Sequence, residues 1–136
     1  MKQAFKYLYL LLLVSMQTHA ADSYKPMSGD STLDASLIAI NERIKNNTEE
    51  FSRLLASEFQ APPEKVNILF SQFEFTAADA LMTLSVADLS GEPINGVAKA
   101  YMENKKSGWG YTLYQLKIEK GSKIFEQIKK DAQIVY

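Results

Sequence analysis

The chain has 136 residues, with 15 lysines and arginines against 16 aspartates and glutamates, a single histidine, no cysteine and a formal charge of −1 at pH 7. The missing cysteine excludes thiol catalysis and disulfide bracing, so stability must come from an apolar core, for which there is enough chain. Charge is unevenly spread: residues 21–95 hold 5 basic and 12 acidic side chains and residues 96–136 hold 8 and 4, a polarity that can orient an encounter with a charged partner.

Lys2 and Lys6 precede the apolar run YLYLLLLVSM, which gives way to QTHA. A basic start, a short apolar stretch and small residues near Ala20 read as a secretory signal peptide over residues 1–20. The run is shorter than the roughly 20 apolar residues that cross a bilayer, so no stable transmembrane segment is expected after cleavage. No cysteine follows to carry a lipid. His19 leaves with the leader, and with it go imidazole metal ligation and Ser-His-Asp catalysis. The mature protein is expected in the periplasm or released from the cell.

Residues 21–31, ADSYKPMSGDS, have no apolar period and read as a flexible lead-in to one helical domain over 32–136. Leu37, Ile40, Ile44, Asn47, Phe51, Leu54 and Glu58 recur at steps of three and four, predicting one long amphipathic N-terminal helix of about 28 residues. A two-helix hairpin broken at Asn46-Asn47-Thr48 is the alternative, because short amides compete for backbone hydrogen bonds. Ala61-Pro62-Pro63 stops the run, and Pro63 suits the first position of a second helix carrying Val66, Leu69, Phe70 and Phe73. Thr76 is expected to cap a third helix through the amide of Ala78 or Asp79, with Gly91 ending it. Pro93 then opens a fourth with Ile94, Val97, Ala98 and Tyr101. Ser107 and Ser122 are expected to cap the last two, the first bearing Trp109, Leu113 and Leu116, the second Phe125 and Ile128. The apolar tail AQIVY is expected to dock on the body. The reading is an all-α bundle of five to six helices, one long and the rest shorter.

Gly108-Trp109-Gly110, then Leu116-Lys117-Ile118, then Lys120-Gly121-Ser122 followed by Phe125, resemble the pattern of small, secreted, poorly characterised bacterial helical proteins. In that family a glycine-tryptophan-glycine unit precedes a Leu-Gly-Ile turn and a Pro-Gly-Ser helix start; here Lys117 and Lys120 replace the glycine and the proline. The resemblance covers residues 33–131 and implies helices and export. It implies no reaction, cofactor or catalytic residue.

The two glycines leave room for a neighbouring element beside the indole, whose N–H needs a partner if buried. Trp109, Tyr114, Phe70 and Phe73 are the candidate aromatic cluster, either structural or lining a ligand cavity. Lys117, Lys120, Lys123, Lys129 and Lys130 form a candidate basic interaction surface. The closing pair of helices superficially fits helix-turn-helix recognition, yet arginine, the commonest guanine reader, is missing after Arg53 and export separates the chain from DNA, so specific DNA binding is not expected. Glu58, Glu64, Glu74 and Asp79 lie near helix joints and read as surface and helix-end charge rather than a catalytic pair. No calcium-loop or phosphate-loop spacing occurs, and no cofactor is expected. The reading is a noncatalytic envelope protein-interaction module; the alternative is a binder of a small apolar ligand in an interhelical cavity.

Overall fold

A computed structural model describes residues 23–134, which contain seven α-helices and no strand. They are α1 (Ser31–Ile44), α2 (Thr48–Glu58), α3 (Pro63–Ser71), α4 (Ala77–Ser90), α5 (Ile94–Glu103), α6 (Gly108–Gln115) and α7 (Lys123–Ile134), with a single 3-10 turn, Lys105–Ser107, between α5 and α6. The leader lies outside the described residues, as do Val135 and Tyr136 of the tail.

The bundle is arranged around α4. Every residue from Ala77 to Ala87 is buried, because AADALMTLSVA, Asp79 apart, is apolar or small all round and has no polar face to give to water. Helices α1, α2, α3, α5 and α7 pack around it. Its caps follow the sequence: Thr76 Oγ1 accepts from the Asp79 amide at 3.2 Å, and Gly91 closes the helix at φ 77°.

The helix count differs from the five or six expected because the long first helix is broken. Lys45 and Asn47 leave helical geometry (φ −18° and −116°), and Asn47 N–H turns back to the Ile44 carbonyl at 2.7 Å. The break re-aims the apolar stripe. Phe51 and Leu55 enter the core, while Leu54, expected on the same stripe, is 40% exposed. Downstream, Pro63 stands at the first position of α3, and Ser122 Oγ accepts from the Phe125 amide at 3.2 Å at the start of α7.

Residues 24–30, within the segment expected to be a flexible lead-in, form an irregular strap across α6 and the start of α1. Asp34 Oδ1 accepts from Ser28 N–H (2.9 Å) and Ser28 Oγ (2.6 Å). Asp30 caps α1 through the Leu33 amide at 2.9 Å and meets Lys129 of α7 at 3.2 Å. Hydrogen bonds of this kind fix an irregular segment without secondary structure of its own.

Candidate functional site

The strap explains the Gly-Trp-Gly unit. The first amides of a helix have no partner within it, and at α6 two of them donate to strap carbonyls: Trp109 N–H to Pro26 O at 2.8 Å and Gly110 N–H to Met27 O at 2.9 Å. Ser107, expected to cap this helix, makes no side-chain cap bond; main-chain oxygens from the strap take its place. So close an approach requires glycine. A Cβ on Gly108 would stand 2.5 Å from Met27 Cβ and 2.8 Å from Pro26 O, and one on Gly110 would stand 2.9 Å from Met27 O. Gly108 also adopts φ 77°, ψ −178°, a conformation essentially restricted to glycine.

Between the two glycines, the indole of Trp109 is fully buried. Its Nε1–H donates to Asp79 Oδ1 at 2.9 Å, and the Tyr24 hydroxyl of the strap donates to the same oxygen at 2.7 Å. The ring lies flat on Tyr101 of α5, centroids 4.0 Å apart and planes within 6°. Tyr101 in turn meets Phe75 edge-on at 5.5 Å, and Phe75 meets Phe73 at 5.4 Å. Asp79 therefore joins the strap and α6 to the central helix with one carboxyl oxygen.

That carboxylate is sealed from water. Burial holds its pKa above the usual carboxylate range, against the opposing pull of the Trp109 and Tyr24 hydrogen bonds. The Tyr101 hydroxyl is near enough to feel its charge, yet Asp79 Oδ2 has no hydrogen-bond partner. Desolvation, followed by the negative charge of Asp79, raises the pKa of both Tyr24 and Tyr101, so both phenols stay neutral at ordinary pH and Tyr24 keeps its proton for donation. Reading Asp79 as surface charge is thus corrected: the residue lies at 0% exposure. An ionisable residue inside the otherwise apolar or small run AADALMTLSVA was the signal for it.

The candidate aromatic cluster is brought together only in part. Trp109 and Phe73 belong to one aromatic chain through Tyr101 and Phe75, Phe70 is a partly buried neighbour of the core, and Tyr114 stands on the surface, 77% exposed. Tyr114 lines a different feature, a surface groove of about 800 Å³ between the strap, α6 and the start of α7. Leu113, Ile118 and Phe125 form its apolar base, strap residues Ser28 and Gly29 one wall, and Lys117 and Lys120 stand at its edge with one acid, Glu119. Lys120 Nζ reaches across to the Gly29 carbonyl. Of the remaining candidate lysines, Lys129 is half-buried against Asp30 and Glu126, while Lys123 and Lys130 are exposed along α7.

The groove is shaped by how α6 ends. Ile118 N–H bonds Leu113 O at 2.9 Å and Lys117 N–H bonds Tyr114 O at 3.0 Å, the paired bonds of a Schellman terminus with Leu113 and Ile118 in its apolar contact. Such a terminus needs a left-handed residue, and Lys117 supplies it at φ 61°. Among the described residues no cluster of three His, Cys, Asp or Glu side chains is placed to hold a metal, and no helix is long and apolar enough to cross a membrane. No family model, curated protein or solved structure matches this chain.

Proposed function

We propose that this protein is an exported, noncatalytic interaction module of the bacterial envelope, and that it takes an acidic segment of a partner protein into the groove beside the strap. The observation that carries the reading is Tyr114: its ring is 77% exposed on a groove based on Leu113, Ile118 and Phe125, with Lys117 and Lys120 at the edge. Tyrosine offers a large contact area at small entropic cost and is enriched among residues that dominate binding energy. The lysines add attraction for carboxylates and orient their approach.

The interior supports the same division of labour. The carboxylate whose pKa is raised, Asp79, is fully enclosed and already accepts from two side chains, an arrangement suited to holding elements together.

A photoreactive side chain in place of Tyr114 tests the reading in intact cells. One reproducible protein adduct is expected, lost when Lys117 and Lys120 are both replaced by glutamate. The purified partner should bind the unmodified protein less tightly as salt rises. Adducts that ignore the charge reversal, or no reproducible adduct, would sink the proposal.

A further inference from the structure

A second face carries an independent chemistry. Around the 3-10 turn, a recess of about 710 Å³ is lined by strap residues Lys25 and Met27 together with Met102, Glu103, Lys105 and Lys106. Met27 and Met102 are each 42% exposed. The three lysines are exposed, and among the described residues none of them forms an ion pair. Lys99 precedes Met102 by three positions on α5 and is exposed as well, so it extends the same helix surface. Glu103 is the one acid in the recess. In this face the apolar groups are themselves the exposed ones and the cations surround them, whereas the Tyr114 groove has its apolar groups at the base.

We propose that this face docks on an anionic phospholipid surface, with Met27 and Met102 entering the headgroup layer and Lys25, Lys105 and Lys106 meeting lipid phosphates. Unbranched side chains with exposed ends need no matching pocket in the partner, and a fluid headgroup layer offers none; exposed apolar groups flanked by lysines are the pattern by which peripheral proteins lie on membranes. Three lysines give weak, salt-sensitive attachment, since each contributes about fivefold to partitioning onto such a surface. Docking here would leave the Tyr114 groove free.

Flotation of exported protein of determined amino terminus with phosphatidylglycerol-containing vesicles, and with pure phosphatidylcholine vesicles, tests it. Binding to the anionic vesicles alone is expected, falling roughly a hundredfold in a Lys25→Gln/Lys105→Gln/Lys106→Gln variant. Met102→Ser should weaken binding without changing its salt dependence. The Lys123→Gln/Lys130→Gln protein, with charges removed elsewhere, should bind as the parent does, and thermal unfolding of each variant checks that it is folded. Equal binding to both vesicle types, equal loss in the control variant, or binding to poly-glutamate but to neither vesicle would each overturn the proposal.

Discussion

The two ends of α6 solve the same problem in opposite ways. At its start, unpaired amides are covered by the backbone of a distant segment, and Gly108 and Gly110 are required because a Cβ would enter that backbone. At its end, unpaired carbonyls are satisfied locally, by the Ile118 and Lys117 amides, and a lysine accepts the left-handed conformation that glycine would adopt freely. Tertiary contact dictates residue type at the first end; only backbone torsion bears on it at the second. Glycine should therefore be indispensable where the strap lies and merely preferable at position 117.

The largest expected effect comes from removing what ties the start of α6 to the core. Asp79→Ala leaves the Trp109 indole N–H and the Tyr24 hydroxyl without their acceptor and should cost about 3–5 kcal/mol in urea unfolding. Asp79→Asn keeps an acceptor oxygen and should stay within about 1 kcal/mol of the parent at neutral pH. The same pair exposes a pH dependence. Because the folded-state pKa of Asp79 is raised by burial, its contribution is full below the unfolded value and is lost as pH rises through the folded one. Asp30, lowered first by the Leu33 amide, works in the opposite sense, losing its contribution as pH falls. Asn at position 79 should remove only the first component, so the stability of the parent relative to Asp79→Asn should decline as pH rises above the ordinary carboxylate value of about 4. A parallel pair of curves would contradict the assignment.

Next in size is Gly108→Ala, which meets both a forbidden torsion and the strap and should cost about 3 kcal/mol. Gly110→Ala sharpens the comparison, since alanine is ordinarily better in a helix by about 1 kcal/mol. The strap carbonyl at 2.9 Å from the new Cβ should reverse that sign, with a net loss of about 1–2 kcal/mol. At the other end, Lys117→Gly should stabilise by about 1 kcal/mol through relief of the left-handed strain. The smallest effect is Gly96→Ala in α5, where only Pro93 side-chain atoms at 3.6 Å and beyond face the new methyl; a gain of about 0.5–1 kcal/mol is expected in thermal or urea unfolding. Loss of stability in this last variant would show that the available space was misjudged.

Much of the fold was legible because its signals are local. Pro63, Thr76, Gly91 and Ser122 act within a few residues of themselves, and each does in the structure what its position predicts. The break after Ile44 was visible in Asn46-Asn47 but in competition with an apolar period running across it, and packing on α4 decided between them. The site was less legible because its partners are far apart in sequence. Asp79 and Trp109 are separated by 30 positions and Tyr24 and Asp79 by 55, and nothing in ADSYKPMSGDS shows that its carbonyls cap another helix. The glycines did announce a close approach without saying what approaches. Tyr114, placed with Trp109 in the candidate aromatic cluster, lies five positions on and points the other way because α6 turns its Trp109–Leu113 face inward.

Hydrogen exchange at the Trp109 and Gly110 amides tests the docked strap most directly. Amides at the start of an isolated helix have no intrahelical acceptor and exchange readily, so protection at these two positions reports the Pro26 and Met27 carbonyls. Exchange as slow as that of the buried amides of α4 is the predicted result, with protection collapsing in Gly108→Ala. Rapid exchange at both positions in the unaltered protein, while α4 stays protected, would contradict the account.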